Sequence, residues 1–586
     1  MILVNNIKLN ISSSHRQAID KAVKLLAIPR SRIKDIWVHK VSIDARKGDV
    51  KFVYSVALKL ADPAKEDKFK NKHKDISVKA EPQITFAKGE RPMTTRPVIC
   101  GFGPAGIMAA LVLARMGFKP VVLEMGQEID KRIETVKAFE EKGLLNTASN
   151  IQFGEGGAGT FSDGKLTTRI SDERCSFVMD TFIAHGAPRE IAKMAKPHIG
   201  TDLLVDVIKN IRKEILSLGG EIMFDTALTD IVIKNGRITA VKTTNGEIAT
   251  DNLILATGHS ARELFFVLKD RGVDMGAKPF SVGVRIEHLQ SEIDKGLYHD
   301  LAGHPSLPKG EYQLAHTKGE RGVYTFCMCP GGQVVAAASE ENTVVVNGMS
   351  RHARDGKNAN SALVVSVEPK DFDDDFTKAI AFQRKLEKTA FELGGRNYKA
   401  PAQTADRFLQ GKAGINMKRV QPTYPLGVTE ADFNKLFPSF ITDNLRNALP
   451  AEIGMHCNVH HVRFAQNRLR ADITDHTVCF HRNQPQRQTV IQFRSNTVYT
   501  PGIVEAQLFQ RLGVDLPPAD DHRGPAGKKR TQKLAFHRQQ RKQLMQRHHR
   551  QQRHRHCCSV PLSWTELPSG CRRSRCSARK GRKPSC

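Results

Sequence analysis

Residues 1–92 alternate between helix-like and strand-like spacing of apolar positions. Apolar residues three and four apart, the spacing of an amphipathic helix, run through HRQAIDKAVKLLAI. Apolar alternation of the kind that is typical of strands runs through DIWVHKVSIDAR and VKFVYSVALKL. The pattern predicts a small α/β domain that ends near Arg91. We interpret its Lys and Arg residues as a solvated face.

A strand, a turn, a helix and a second strand follow this domain. The apolar run RPVIC leads into glycines at Gly101, Gly103 and Gly106. Pro104 stands where a helix should begin, because its fixed φ and missing N–H cost nothing in a first turn. Residues 107–116 are apolar and alanine-rich, and the run PVVLEMG comes next as a second strand. This order predicts a βαβ unit.

The glycine spacing G-x-G-x-x-G is typical of a turn that holds a dinucleotide. Gly101 allows the tight turn, Gly103 lets the backbone approach the pyrophosphate, and Gly106 lets the helix pack close to the strand. The phosphates would lie on N–H groups of the first helical turn, which includes Pro104 and Ala105. The sequence therefore predicts a dinucleotide cradle in this turn.

An acidic residue stands where the adenosine ribose would lie. Glu124 ends the second predicted strand, 18 residues after Gly106. A carboxylate there can accept both ribose hydroxyls and would repel a 2′-phosphate. The carboxylate therefore disfavours NADP as the cofactor, and both FAD and NAD remain candidates.

Consecutive strand patterns after residue 219 bear on that choice. Asn235 with Gly236 and Asn245 with Gly246 are hairpin signals, because both residues of such a turn can take positive φ. The last strand pattern of this stretch, residues 252–255, runs into the turn Ala-Thr-Gly. This meander resembles the FAD-binding domains of the glutathione-reductase-like superfamily. The resemblance implies that the following residues lie along the dinucleotide: Leu228, Ala256, Thr257 and Gly258.

The rest of the chain offers no second nucleotide cradle. No further G-x-G-x-x-G follows in a strand–helix setting. A separate NAD(P)H domain is therefore not evident, and FAD is the favoured cofactor.

Four long motifs follow one another in the chain. They are NIQFGEGGAGTFSDGKLTTR at residues 150–169, KPFSVGVRIEH at 278–288, GVYTFCMCPGG at 322–332 and NGMSRHARDGKNANSAL at 347–363. Together they resemble the bacterial family of uncharacterised FAD-dependent dehydrogenases, also described as NAD(FAD)-utilising dehydrogenases. The resemblance covers about residues 40–450. It implies FAD as the cofactor and leaves the substrate and the electron acceptor open.

The resemblance also implies an α/β architecture. We expect a Rossmann-like FAD-binding domain at residues 93–262, built from a parallel sheet and a β-meander. An α+β substrate domain at residues 263–450 would be inserted in it. The small α/β domain at residues 1–92 would precede both.

A loop very rich in glycine lies within the first of these motifs. GEGGAGTFSDGK has five glycines in twelve residues, too many for the interior of a helix or strand. Such a loop can bring backbone N–H groups to the cofactor, and we take Gly157, Gly159 and Ser162 as candidates. The alternative is a plain surface loop.

Catalytic residues are harder to assign. Cys327 and Cys329 form C-x-C, where a disulfide would be strained, and two thiolates alone rarely hold a metal. We interpret both as buried packing thiols, with catalysis as the alternative, and we expect no metal site. Arg285 and His288 lie on an apolar strand pattern and are further candidates to face flavin or substrate, with a structural histidine as the alternative. The stretch HSAR at residues 259–262 has the same ambiguity.

The composition changes abruptly near Pro450. Residues 451–586 hold 26 of the 90 Lys and Arg residues but only 8 of the 61 Asp and Glu residues. Family resemblance would call for a glycine-rich, acidic segment there that closes over the flavin, and no such stretch is present. We expect this tail to be either disordered or translated out of frame, and the chain as written to bind FAD poorly.

The basic tail also suggests an alternative function. HRQQRKQLMQRHHRQQRHRH, at residues 537–556, is typical of a nucleic-acid-binding arm, as in a tRNA-modifying flavoprotein. It has no aromatic residue for base stacking, so we do not expect nucleic acid as a partner. A flavin fold without turnover is a third possibility.

No apolar run is long enough for a membrane helix and no signal peptide precedes the chain, so we expect a cytoplasmic protein with a small-molecule substrate. The sequence leaves its oligomeric state open.

Overall fold

A computed structural model describes residues 1–457 and 477–483, except residues 47, 48, 71, 82, 83, 90, 91, 169–171 and 318–320. Side chains are described as far as Pro450. Arg91, near which we predict the first domain boundary, falls outside the described residues. The three domain ranges therefore stay predictions.

A four-stranded antiparallel sheet with one helix forms the N-terminal part. Its elements are β1 (Ile2–Asn10), α1 (His15–Leu26), β2 (Ile33–Asp44), β3 (Lys51–Leu60) and β4 (Ile76–Val78), and the strand order is β2-β3-β1-β4. Helix α1 begins with a capping box, in which the Ser14 and Gln17 side chains bond to each other's backbone N–H. The predicted helix and the two predicted strands are confirmed.

A parallel sheet and a three-stranded meander form the next part. In chain order the elements are β5 (Val98–Cys100), α2 (Pro104–Arg115), β6 (Val121–Leu123), α3 (Ile129–Lys142), α4 (Arg174–Ala184), α5 (Thr201–Ser217), β7 (Glu221–Met223), β8 (Leu228–Lys234), β9 (Arg237–Thr243), β10 (Gly246–Ala249), β11 (Leu253–Leu255) and α6 (Arg262–Asp270). The parallel sheet has the order β11-β5-β6-β7. Its central strands are wholly buried, as parallel strands between helices should be.

The two predicted hairpins close differently. Asn235 and Gly236 both take positive φ, 49° and 72°, as the turn between β8 and β9 requires. In the second hairpin only Gly246 does so, at 123°, and it is already the first residue of β10. The expectation of positive φ at Asn245 is therefore wrong, because the turn is displaced by one residue.

A large mixed sheet forms the last described part. Its elements are β12 (Phe280–Leu289), α7 (Gln290–Tyr298), β13 (Ala315–His316), β14 (Val323–Cys329), β15 (Gln333–Ala336), β16 (Val346–Met349), β17 (Asn358–Val367), α8 (Phe376–Leu393), β18 (Ala400–Thr404), α9 (Ala405–Leu409), β19 (Val428–Glu430), α10 (Phe433–Leu436), α11 (Ser439–Cys457) and β20 (Thr477–Asn483). The strand order is β13-β14-β17-β12-β20-β16-β15, and β18 pairs with both β19 and β20. Strands β12 and β17 pair over ten residues and are almost entirely buried, so they form the centre of this sheet.

The tail contributes to this sheet. Helix α11 continues through Pro450, and the backbone of β20 pairs with β12 and with β18. The prediction that the tail is disordered is therefore wrong for residues 477–483, which form β20. The basic arm at residues 537–556 lies outside the described residues, so the nucleic-acid alternative gains no support from the structure.

The predicted fold class is confirmed: a Rossmann-like parallel sheet with a meander is combined with two further α/β parts. Among the described helices, none is long and apolar enough to cross a membrane.

Candidate functional site

The glycine turn at the end of β5 is closed by internal contacts at two of its three glycines. Gly101 has φ of +100°, and a Cβ there would lie 2.4 Å from the carbonyl oxygen of Ala256. A Cβ at Gly106 would lie 1.8 Å from the carbonyl oxygen of Gly101. Both positions therefore require glycine for the turn and for helix packing, as predicted from the spacing.

Gly103 requires another explanation. Its φ is −78°, which any residue adopts, and the nearest atom that an added Cβ would meet is the Cα of Gly157, 3.8 Å away. Gly103 is also the N-cap of α2, and its helix begins at Pro104 without a side-chain cap. The positive end of α2 thus faces a space that a Cβ would fill, which fits the pyrophosphate of a dinucleotide.

The glycine-rich loop lies against the same first turn. A Cβ at Gly157 would lie 3.0 Å from the Cα of Gly103, and one at Gly159 would lie 3.6 Å from the Pro104 ring. The Gly157 N–H donates to the carbonyl of Gly154, at 2.9 Å. The Gly157 N–H is thus engaged within the loop, and a contact of Gly157 with a cofactor stays a prediction. What the glycine allows instead is the close approach of the two backbones.

Ser162 stabilises the loop itself. Its hydroxyl donates to the Gly159 carbonyl at 2.7 Å and accepts from the Gly164 N–H at 3.1 Å. A direct contact of Ser162 with a cofactor stays a prediction.

Glu124 is buried, and its carboxylate accepts hydrogen bonds from three backbone N–H groups. One carboxylate oxygen accepts from the Phe102 N–H at 2.7 Å, and the other accepts from the N–H groups of Gly126 and Gly154 at 3.0 and 2.9 Å. The carboxylate therefore fixes the glycine turn and the glycine-rich loop together. The oxygen bonded to Phe102 keeps acceptor capacity, and its predicted contact with a ribose stays a prediction.

Two of the last four predicted residues, Ala256 and Thr257, lie beside Gly101. The Ala256 N–H donates to the Cys100 carbonyl at 2.8 Å, and Thr257 continues the chain beside Gly101. Gly258 is exposed with φ of +72°. Leu228 is buried in one apolar cluster with Cys100. Ala256 and Thr257 thus lie at the carboxyl end of β5, where α/β folds bind dinucleotides, and cofactor contacts of the predicted residues stay a prediction.

Sequence reasoning missed Arg132. Its side chain is fully buried and donates to the carbonyls of Asn150, Ile151 and Glu155, at 2.9, 3.0 and 2.5 Å. Burial lowers the pKa of Arg132 to about 10. Arg132 thus anchors the start of the glycine-rich loop. Its position in a polar helix pattern gave no signal that distinguishes it from a surface arginine.

Three of the four predicted catalytic candidates meet in one cluster. Arg285 is fully buried; its Nε donates to the Asn360 side chain at 2.5 Å, and one Nη donates to the Cys327 carbonyl at 2.7 Å and to the Cys329 sulfur at 3.2 Å. Lys165 donates to the carbonyl of Met328, between the two cysteines. Lys165, the last residue of the glycine-rich loop, therefore reaches the C-x-C pair.

An acidic residue balances these cations. Lys165 pairs with the buried Asp163, which also accepts from the Arg354 guanidinium, at 3.0 Å from Nε. Burial alone would raise the pKa of Asp163, but Lys165 and Arg354 lower it overall. Lys165 and Arg354 thus share one buried carboxylate, that of Asp163.

The cysteines have an environment unlike that of packing thiols. The neighbouring Cys329 thiol lowers the pKa of Cys327 to about 5, with Lys165 and Arg285 acting in the same direction against burial and Asp163. Cys327 and burial raise the pKa of Cys329, whose thiol donates to the Cys327 carbonyl at 3.4 Å. Packing alone therefore does not describe the pair, because Arg285 donates to the Cys329 sulfur and Lys165 donates to the Met328 carbonyl between the cysteines.

His288 lies apart from this cluster. It is buried, its Nδ1 lies 2.9 Å from the Ala359 carbonyl oxygen, and its Nε2 lies 2.7 Å from the Tyr312 hydroxyl. Since His288 and Arg285 are three residues apart on β12, their side chains leave opposite faces of the strand. His288 has the contacts of a structural histidine.

The HSAR stretch is also held by internal contacts. The Arg262 guanidinium is buried and pairs with Glu387 and Glu340, at 2.7 and 2.9 Å. Burial and the charge of Arg262 lower the pKa of His259 to about 4. Within the described part of the chain, no group of three or more His, Cys, Asp or Glu residues could hold a metal ion.

Family models match consecutive parts of the chain. Residues 95–281 match the model described as pyridine nucleotide-disulphide oxidoreductase. Residues 279–460 match the model described as FAD-dependent protein, C-terminal domain-like. Residues 1–59 match a domain of unknown function.

Solved flavoenzyme structures are similar to parts of the chain at low scores. L-amino acid deaminase from Proteus vulgaris is 13% identical with a TM-score of 0.23, over 35% of this chain and 63% of that one. Glycine oxidase from Bacillus cereus is 14% identical with a TM-score of 0.21, over 46% of this chain and 71% of that one. Glycerol-3-phosphate dehydrogenase from Bacillus halodurans, complexed with FAD, is 11% identical with a TM-score of 0.24, over 48% of each chain. TM-scores and identities this low do not indicate the activity of this chain.

One relative is similar over most of its length. An uncharacterised protein of Clostridium beijerinckii is 46% identical over 456 residues, which are 76% of this chain and 85% of the relative. Together with the FAD-dependent family models, this identity shows that the chain belongs to a family of uncharacterised FAD-dependent oxidoreductases.

Proposed function

We propose that the chain is a dehydrogenase that uses FAD to oxidise a small-molecule substrate. The observation that supports this most is the free space in front of Gly103. An alanine would fit there among the protein's own atoms, so the glycine is explained by a ligand that needs close access to the backbone. The uncapped first turn of α2 supplies N–H groups for an anion at the same place.

FAD, when bound, supplies the acceptor of a hydride or electrons, and the protein supplies position and electrostatics. Gly103, Pro104 and Ala105 would hold the pyrophosphate. Glu124 would hold the ribose while it keeps the glycine-rich loop in place through the Gly126 and Gly154 N–H groups.

The cluster around Arg285 would lie on the substrate side of the site. Lys165 connects it to the cofactor cradle through the glycine-rich loop, only six residues after Gly159. Buried guanidinium and ammonium groups at this position favour an anionic substrate or an anionic reduced flavin. The proposal names no substrate beyond that preference.

The test is the identity and amount of bound cofactor. Two purified proteins are compared: the chain as it stands, and a chimera that carries the C-terminal segment of the Clostridium beijerinckii relative in place of residues 451–586. We expect the chimera to be yellow and to release FAD on denaturation, and the chain as it stands to hold less FAD. Release of NAD, or of no cofactor from either protein, would refute the proposal. Reduction of the flavin by members of a substrate collection, followed by absorbance without oxygen, would then distinguish a dehydrogenase from a fold without turnover.

A further inference from the structure

Strand β14 is irregular where its two cysteines lie. The pairing of β14 with β17 shifts register between Phe326 and Cys329, and Cys327 has φ of +48°. In a regular strand, side chains two residues apart are separated by about 6.5 Å. At the bulge the Cys329 thiol instead turns back and donates to the Cys327 carbonyl oxygen, at 3.4 Å. Positive φ at a residue other than glycine is unfavourable, and such residues concentrate at functional sites.

Two cations lie at the same sulfur pair. The Arg285 guanidinium donates to the Cys329 sulfur, and the Lys165 ammonium is bonded to the Met328 carbonyl between the cysteines. Asp163 is the opposing acidic group, and it is itself paired with Lys165 and Arg354. Cations beside a thiol favour its thiolate form, which is the nucleophilic form.

The two cysteines differ in access. Cys327 is half-buried, whereas Cys329 is completely buried. The pKa of the half-buried Cys327 is lowered, and that of the buried Cys329 is raised. Cys327 is thus the residue of the pair that has exposed surface for a dissolved molecule to reach.

We propose that Cys327 and Cys329 form a thiol–disulfide exchange site that takes a small disulfide as its substrate. The Cys327 thiolate attacks one sulfur of the disulfide, so that a Cys327 mixed disulfide forms and one thiolate leaves. Cys329 then loses its proton and attacks the Cys327 sulfur, which forms the Cys327–Cys329 disulfide and releases the second thiolate. The small disulfide gains two electrons, which the cysteine pair gives up. This activity requires no FAD and is therefore independent of the proposed dehydrogenase function.

The experiment uses oxidised glutathione and peptide mapping of the full chain. Tryptic cleavage after Arg321 and Arg351 yields one peptide, residues 322–351, whose only cysteines are the pair. The peptide of residues 175–189 carries Cys175 alone, another half-buried thiol, and serves as the internal control. At pH 6 we expect the pair to oxidise at least tenfold faster than Cys175 gains glutathione.

Variants separate the two roles. Cys329→Ser should accumulate glutathione on Cys327, because the second step is blocked, and Cys327→Ser should lose the rapid reaction. Lys165→Met should slow the first step at pH 6 by about tenfold, because the thiolate fraction falls. Circular dichroism checks that each variant is folded.

A measurement on the unaltered chain covers the case in which a variant fails to fold. The rate at which iodoacetamide alkylates Cys327 should change less than threefold between pH 6.5 and 8.5. A rise of about tenfold per pH unit would overturn the proposal, because it would show an ordinary protonated thiol. Oxidation of the pair no faster than modification of Cys175 would also overturn it.

Discussion

Gly103 and Gly157 face each other across the cofactor cradle with no side chain between them. A Cβ at Gly103 would make an ordinary contact of 3.8 Å with the Cα of Gly157, whereas a Cβ at Gly157 would lie 3.0 Å from the Cα of Gly103. The glycine-rich loop therefore needs bare backbone at Gly157, whereas a methyl group at Gly103 would fit among the protein's own atoms. The two positions nevertheless differ, because only Gly157 is required by the protein's own packing and its φ of +59°.

We first predict that Gly103→Ala separates cofactor binding from folding. Its free energy of unfolding should stay within about 1 kcal/mol of the parent, because nothing in the protein collides with the methyl group. Its affinity for FAD should fall at least tenfold, because the methyl group stands where the pyrophosphate approaches. Flavin fluorescence titration of the chimera measures the affinity. The control is Gly276→Ala, whose added Cβ meets no atom within 4 Å. Unchanged affinity in Gly103→Ala would contradict the assignment of the cradle.

The second prediction concerns Gly106, where the opposite behaviour is expected. An alanine Cβ there would lie 1.8 Å from the Gly101 carbonyl oxygen, which belongs to rigid backbone. Helix α2 must move away from β5, so we expect a loss of about 3 kcal/mol or more in the free energy of unfolding. Urea unfolding without FAD measures this loss. A Gly106→Ala protein as stable as Gly103→Ala would show that the helix and strand are not packed as described.

The third prediction concerns the carboxylate of Glu124. Glu124→Gln replaces one acceptor oxygen with an NH2 group, which cannot accept from Phe102 N–H or from the Gly126 and Gly154 N–H groups. Hydrogen bonds to charged groups contribute about 1.5–3 kcal/mol each, so we expect a loss of at least 2 kcal/mol in unfolding free energy without FAD. Thermal and urea unfolding of the FAD-free protein check it. If stability is unchanged and only FAD affinity falls, Glu124 acts on the ribose alone.

The sequence was sufficient to predict those parts of the site that depend on local conformation. The turn at Gly101, the helix start at Pro104 and the hairpin at Asn235 follow from φ preferences and hydrophobic periodicity, which neighbouring residues determine. It was not sufficient for contacts between distant residues. Arg354 and Asp163 are 191 positions apart, and Lys165 meets Met328 across 163 positions. No spacing rule indicates such a pair.

The cysteine pair shows the same limit. The interpretation as packing thiols rests on the strain of a disulfide between such near neighbours and on the rarity of metal sites with only two thiolates. The bulge between Phe326 and Cys329 changes the local backbone, and it is seen only in the pairing of β14 with β17. The residue pattern of one strand does not indicate how that strand pairs with its neighbour.

The last prediction concerns the pH dependence of stability through Glu387. This carboxylate accepts two hydrogen bonds from Arg262, at 2.7 and 3.0 Å, and is almost fully buried. Burial raises the pKa of Glu387 to about 7, although Arg262 acts in the opposite direction. In the unfolded chain a glutamate has a pKa of about 4.3. Between these values the folded protein binds a proton that the unfolded chain has released, so the free energy of unfolding falls as pH rises.

Glu387→Gln removes this titration with little change in shape. We therefore expect the wild-type protein to lose stability relative to Glu387→Gln as the pH rises from 4.5 to 7, by about 1.4 kcal/mol for each unit of pKa shift, with no further change above pH 7. Urea unfolding at half-unit pH steps measures the difference. Glu392→Gln, at an exposed position near the end of the same helix α8, is the matched control and should show no such trend. A difference that is constant from pH 4.5 to 8 would contradict the prediction, because it would mean that Arg262 keeps Glu387 ionised throughout.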